Sequence, residues 1–571
     1  MKTLDLRFKG GINSEASELF NQIANNNIEL FNELISKISN ENLDNFNWWI
    51  KSPASRNTYS SPLFYRLTCL KLVNELLDKN KFVYSKILVD SFEFSALIKK
   101  LLSEKNQQKT IVHNTQDYSL FTKIIKDNFH KIKTSVFFIL KYLIIKILVK
   151  KEIILSPIKV VDTFLMPKFV QKDRWYASFF DELNEKEVQN LYFIPTIVNS
   201  SIKEFVKIIF KSKNIKRKII FKESYLSFID VISIVTNLFN NKFNSKSIKY
   251  IDLEINPIII EEFKFNRDQL TIVESLSIYK LFNNIYKKGI EIELSIDWFE
   301  GQSIDKAWSF SLNKFFPNCR TFGYRGGGDF SLHLCNYPIA VEKKANVIPE
   351  TFLVNGTGYQ KLVSKYLKNI KSIVVPSFRT LHVWDDNKTN LKNDLNNIDF
   401  KVLVSLPISL TMSKTILNLL ICFNIKFENV LNKQIFFIKK HPAFKTDKGF
   451  DNLTNQLSEN FIFKNNENFN SLLGRSNLLI SEASGTCLEA IASCVPVLVI
   501  KSTKGLFYNP IPENIPALMF RIVSNVDHLH KQIEFYQNNN LIHQNELIKY
   551  SKKVRLKYFE PYNKKINNLI K

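Results

Sequence analysis

Short buried strands alternating with helices predict an α/β protein with parallel sheets, arranged as two lobes. Three observations carry that expectation. From Phe436 to Ile500, two apolar runs break off into polar residues, at Lys439-Lys440-His441-Pro442 and at Glu482-Ala483-Ser484-Gly485-Thr486. A helical pattern from Cys487 to Ser493 then leads to a further buried run, Val495 to Ile500. Far upstream, Ile290 to Trp298 alternates like a strand and also ends in polar residues, Phe299-Glu300-Gly301-Gln302. Lastly, 571 residues suffice for two domains with cores of their own.

Composition narrows the class. A hydrophobic fraction of 45% is that of a globular protein, and the formal charge of +25 favours anionic partners. Phosphorylated substrates and an acidic membrane face fit that charge. No zinc-finger spacing or RNA-binding signature appears, so nucleic acid is not an expected partner. The 6 cysteines form no C-x-x-C pair and read as reduced thiols of a cytosolic protein. The start, MKTLDLRFKGG, lacks the apolar core of a signal peptide. The expected location is cytoplasmic, with the inner face of the membrane as a peripheral contact.

In chain order, Glu15 to Ile38 has helical spacing, and Lys51 to Asn57 is a loop after Trp48-Trp49. Arg56 and Asn57 in that loop either bind a substrate anion or hydrogen-bond their own turn. A helix from Leu63 to Leu77 precedes a strand, Lys86 to Val89, that ends at Asp90-Ser91. This is the βαβ grammar of a first Rossmann-like unit. Ser135 to Val149 is the most apolar run but is too short and too lysine-punctuated to span a bilayer. It reads either as an interfacial helix with lysines at headgroups, or as a buried amphipathic helix with lysines at its edge. Val160 to Leu183 mixes aromatics and charges without clean periodicity, as a substrate-facing loop or a surface excursion.

Further on, Lys218 to Lys222 reads as a strand, followed by a long helix to about Phe239. Asp268 to Lys288 reads as a helix. Ala307 to Phe315 is a helix and Cys319 to Tyr324 a strand, after which Arg325 opens a run of three glycines. That run lacks the G-K-[ST] ending of a phosphate loop. Tyr359 to Ile370 is a helix and Ser372 to Pro376 a strand. The polar stretch Asp385 to Asn397 reads as the linker between lobes. Phe400 to Leu406 opens the second lobe, with a helix from Met412 to Phe423.

The chemistry follows from strand ends, where such sheets bind ligands. His441, held out of helix by Pro442, can donate to a phosphate, and Lys440 adds charge. Ser484, Gly485 and Thr486 offer hydroxyls and free N–H groups at a helix start, an anion site or simple N-capping. Glu489, one turn on, can accept from a ribose. Glu300 can deprotonate an acceptor hydroxyl. Asp305, at a helix start, is a second acid or a cap. No metal-ligand cluster with regular spacing appears, so neither metal nor other cofactor is expected.

The His-Pro strand end and the run from Ser481 to Val497 (S-x-x-S-G-T-x-x-E-A-I-A-x-x-x-P-V) resemble the C-terminal lobe of GT-B glycosyltransferases, of the sialyltransferase-like and Kdo-transferase-like types. Cys494 stands where many such proteins have glycine. The NWW, SRN, WFEGQ and GYRGG stretches resemble surface carbohydrate biosynthesis proteins. The resemblance implies two Rossmann-like lobes facing a cleft. It implies an acceptor lobe over 1–390 with a helical insertion at about 120–210, a donor lobe over 391–545, and a final helix over 546–571 packing back on the first lobe. It implies Glu300 as base, with Phe299 replacing an acid, and His441, Ser484 and Thr486 on the donor phosphate. Arg56, Asn57, Asp90, Gln302 and Arg325 are the expected acceptor contacts. The partners implied are a nucleotide-sugar donor, CMP-linked in the expectation, and a glycan or lipid-linked glycan acceptor. A teichoic-acid-type polyol-phosphate transferase and a non-catalytic scaffold protein are the alternatives.

Overall fold

The computed structural model describes residues 2–8, 10–115, 120–150, 154, 156–171, 173–177, 179–198, 201–240, 246–265, 268–385, 400–428, 434–444, 446–501, 505–539, 543–563 and 569. Two large parallel sheets dominate it. The first has seven strands, in the order Lys371–Val374, Thr351–Val354, Arg320–Arg325, Ile292–Trp298, Ile158–Leu165, Leu191–Ile197 and Lys218–Ile219. The second has six, in the order Phe461–Phe463, Gln434–Lys439, Phe400–Ser405, Leu478–Ser481, Val497–Ile500 and Phe520–Val523. Numbered along the chain within each sheet, both run 3-2-1-4-5-6, and the first adds a seventh strand at its edge. This is the doubly wound Rossmann order, duplicated in two lobes as in GT-B proteins. In each, ligands bind beyond the carboxyl ends where the order reverses, between strands one and four.

Burial explains why these segments are strands. Leu478–Ser481, Val497–Ile500 and Thr351–Val354 are buried at every position, as parallel strands covered on both faces must be. The strands before His441 and before Glu300 stand within two residues of the expected bounds.

Three expectations change. The strand Lys86–Val89 does not start the first large sheet. It pairs with Thr3–Asp5 and Ile111–Asn114 in a separate three-stranded parallel sheet. A βαβ pattern dictates parallel pairing but not which sheet receives the strand. Ile158–Leu165 and Leu191–Ile197 lie inside the region expected to be a helical insertion, yet they are strands one and two of the large sheet. Both are buried along nearly their whole length, so neither alternates. The helix after Gly356 covers only Thr357–Val363 rather than reaching Ile370. The expected linker beyond Asp385 lies outside the described residues.

Contacts that tie the lobes together include those of the last described helix and an aromatic stack. The last helix, Gln544–Tyr558, lies between them. Its Ser551 Oγ donates to the Ile491 carbonyl at 2.7 Å and its Arg555 Nε to that of Ala492 at 2.6 Å, both in the second lobe. Just beyond it, the Glu560 N–H donates to the Asn355 carbonyl at 2.6 Å in the first lobe. On the other side, Tyr508 from the second lobe stacks on Tyr59 with centroids 4.1 Å apart.

The apolar run from Ser135 belongs to a longer helix, Leu120–Leu148. Both sequence readings place its lysines at the water edge. Lys131 and Lys141 are instead buried, at 2% and 6% exposure. Lys131 pairs with Asp127 at 2.8 Å, and the Lys141 ammonium lies over the Phe205 ring. Among the described residues no helix is long and apolar enough to cross a membrane.

Candidate functional site

The two reversal points face one cleft of about 1250 Å³. Its walls are segments that follow strand ends. From the first lobe come Arg174, Glu300 and Gln302, the glycine run after Arg325, and Arg379 with His382. From the second come Ser405 to Met412, Lys439 to Pro442, and Ala483 to Thr486 with Glu489.

Glu300 follows strand four of the first sheet, and its carboxylate is exposed to the cleft. Its position is locked from three sides. Gly301 has φ +73°, and a Cβ there would stand 1.9 Å from the Cys335 carbonyl oxygen, so only glycine fits this turn. The Asp305 carboxylate accepts the N–H groups of Glu300 and Gln302, each at 2.8 Å. The Trp298 indole donates to Glu300 Oε1 at 2.9 Å. Asp305 itself is buried and does not line the cleft, so it shapes the turn instead of acting as a second acid. Burial pushes its carboxyl up to about 7, against the N–H bonds that oppose the rise.

On the facing wall, His441 Nδ1 accepts the Ala443 N–H at 3.1 Å. Burial, with Arg174 and Arg379 near, holds its pKa down to about 4. The ring is therefore neutral near pH 7, and Nε2 carries its one donor hydrogen. Ser484 Oγ and Thr486 Oγ1 bond each other at 2.8 Å, and Thr486 Oγ1 donates to Ser405 Oγ at 3.3 Å. The helix that follows is Thr486–Ala492, with Gly485 as its cap. Gly328 meets Gly485 here: a Cβ on Gly328 would come 3.1 Å from the Gly485 Cα, so the glycine run lets the lobes close. Cys494, in the place of a glycine, takes the left-handed backbone that glycine favours, φ 60°.

Several of the expected contact residues are engaged with other protein groups. Arg56 is fully buried and bonds Asn32 Oδ1, the Tyr337 carbonyl and Glu342, so its charge is neutralised inside the first lobe. Asp90 accepts the Phe8 N–H and lies 3.6 Å from Arg66, away from the cleft. Arg325 reaches the wall but is held by Asp329 and the Asn336 carbonyl. The Lys440 ammonium lies over the Phe450 and Phe463 rings, turned toward its own lobe. Asn57 and Gln302 do line the cleft, joined by a 2.6 Å hydrogen bond. Glu489 lines it too, 3.5 Å from His382 of the first lobe.

Sequence reasoning missed two of the cleft's cations and one buried acid behind its wall. Arg174 rests on the Phe169 and Trp175 rings, and Arg379 enters just past strand seven. Among the described residues neither makes an ion pair. Burial and the Arg379 charge lower Arg174 to about 10. The aromatic setting of Arg174 was the available signal; Arg379 had none. Glu482, two residues before Ser484, is fully buried, neither of its carboxylate oxygens is hydrogen-bonded among the described residues, and burial pushes it up to about 8.

No family model matches the chain, and no curated protein matches it by sequence. Among solved structures it is similar to a UDP-GlcNAc 2-epimerase of Neisseria meningitidis bound to UDP-GlcNAc, at 12% identity over 69% of this chain and 94% of that one, TM-score 0.37. It is similar to the UDP-GlcNAc 2-epimerase of Methanocaldococcus jannaschii in complex with UDP-GlcNAc and UDP, at 13% identity over 67% and 93%, TM-score 0.40. A trehalose 6-phosphate synthase of Burkholderia multivorans is similar at 7% identity over 70% and 94%, TM-score 0.39. The fold assignment rests on the strand order of this chain's own two sheets.

Proposed function

We propose that the protein is a glycosyltransferase that moves a sugar from a nucleotide-activated donor to a glycan hydroxyl. One observation supports this most: a fixed carboxylate, Glu300, and a neutral donor, His441, line one cleft from opposite lobes. The acceptor oxygen attacks the anomeric carbon, and the bond from that carbon to the phosphate oxygen breaks. The nucleotide leaves with the electron pair, while Glu300 takes the acceptor proton. His441 Nε2–H and the Ser484–Thr486 hydroxyls and N–H groups stabilise the charge growing on the leaving phosphate.

The donor in this reading is a CMP-linked acidic sugar, a nonulosonic acid or Kdo, as in sialyltransferase-like and Kdo-transferase-like enzymes. Arg174 and Arg379 support it, because an acidic sugar brings a carboxylate to two cleft guanidiniums that make no ion pair among the described residues. The acceptor is a surface-polysaccharide or lipid-linked glycan. The same arginines also suit the second phosphate of a CDP-polyol, which keeps the polyol-phosphate transferase as a second reading.

A thermal-shift series with CMP, CDP, UDP and GDP tests both. A ligand that binds only the folded state raises its melting temperature. CMP is expected to stabilise the protein. A distinctly larger shift with CDP favours the polyol reading, and no shift with any nucleotide overturns the donor site and leaves the scaffold reading.

A further inference from the structure

The helix Leu120–Leu148 is built inside out for a soluble surface. Its buried face takes Lys131 and Lys141 together with Phe138, Tyr142 and Ile145. Its outer face carries Phe121, Ile125, Phe129, Ile132, Val136, Leu140, Leu143 and Ile147, spaced every third or fourth residue and so aligned on one stripe. Exposure reaches 70% at Phe121, 68% at Phe129 and 80% at Ile147. The stripe runs the length of a helix of 29 residues. The helix Phe228–Leu238, which contacts it, adds exposed Phe228, Ile229 and Ile232. The helix Ile202–Ser212, which contacts it too, adds Phe210. A continuous apolar surface of this extent marks an interaction site.

The charges beside it identify the kind of partner. Lys126, Lys133 and Lys146 are exposed on the same helix, and Lys203, Lys207 and Lys211 on the helix Ile202–Ser212. The acids nearby are engaged elsewhere: Asp127 pairs with Lys131, and Asp230 bonds Ser227 and Asn284. Glu204, half-buried, is the remaining acid of the three helices. An apolar stripe bordered by lysines suits an anionic lipid surface, where the apolar face enters the acyl boundary and the lysines meet headgroups. A second copy of this chain would bring lysines against lysines.

We infer that this face docks on an anionic membrane, with the helix Leu120–Leu148 lying in the interface plane. The inference does not depend on the proposed reaction, since the stripe belongs to no wall of the cleft.

Vesicle flotation of the full chain tests it. Vesicles of phosphatidylcholine mixed with phosphatidylglycerol carry the protein to the top of the gradient, and vesicles of phosphatidylcholine alone carry much less. The double variant Phe129→Glu with Ile147→Glu lowers the bound fraction by roughly tenfold or more. Its melting temperature stays unchanged, because both side chains already face water. Lys133→Glu weakens binding to the anionic vesicles and leaves the phosphatidylcholine result as it was. Absence of flotation with anionic vesicles overturns the inference, and so does equal binding to both compositions. So does a dimer, seen by light scattering, that Phe129→Glu dissociates while no vesicle binds.

Discussion

The two lobes share a strand order, and each places functional residues just past strand four, Glu300 in the first and Ser484 to Thr486 in the second. They hold those residues in opposite ways. In the first lobe the Glu300 turn is over-determined by Gly301, by the Asp305 carboxylate and by the Trp298 indole. In the second, Ser484 and Thr486 bond chiefly each other, and the buried Glu482 carboxylate behind them finds no hydrogen-bond partner among the described residues. The contrast follows from chemistry. A base must be aimed at one proton, so its backbone is locked. A phosphate site must keep donors available, so its hydroxyls cannot be committed to strong internal partners.

That contrast can be broken at either end. The largest effect is expected for Glu300→Gln, which should slow transfer roughly a hundredfold to ten-thousandfold while the CMP-induced thermal shift persists. Loss of both together would mean that Glu300 serves folding or donor binding instead. Next in size is Gly301→Ala. Its Cβ meets a carbonyl oxygen in a left-handed turn, so unfolding titrations should show a loss of about 1–3 kcal/mol, with transfer lost as the turn moves. Ser484→Ala with Thr486→Val should weaken CMP binding about tenfold, measured by calorimetry, with little change in stability.

Two smaller effects test electrostatics. The Glu482 carboxyl, raised to about 8 from an ordinary 4.5, favours the folded state only when protonated. Its contribution is full below about 4.5 and is lost as pH rises through about 8. Melting temperature should therefore fall from pH 5 toward pH 8, and Glu482→Gln should flatten that slope. Arg379→Ala removes a positive charge of the first lobe from near His441 of the second. The His441 pKa should then rise from about 4, as followed by NMR of the ring proton. An unmoved value would show that the two walls do not sense each other in solution.

Much of the second lobe was legible because its strands are short apolar runs with sharp polar ends, and the site lies on those ends. Glu300 was legible for the same reason, with Gly301 beside it. Ile158–Leu165 and Leu191–Ile197 were not legible as strands, because a strand buried on both faces loses its alternation. Arg56 and Arg379 show the limit for single residues. Arg56 ends the short helix Ser52–Ser55 and Arg379 lies in the short helical turn Phe378–Trp384, yet one is neutralised by a buried glutamate and the other faces the cleft. Nothing local distinguishes them.

The sequence by itself determined the α/β class, the strand ends, the basic charge and the residue types at Glu300, His441 and Ser484–Thr486. These depend on patterns a few residues long, set by backbone geometry and burial. The tertiary structure alone decided which strand joins which sheet, that two reversal points share one cleft, and that Arg174 and Arg379 supply its positive charge. It also turned an ambiguous apolar run into a helix that buries Lys131 and Lys141 while Phe121 and Phe129 face out. Those facts depend chiefly on contacts between residues far apart in the chain, which no short pattern encodes.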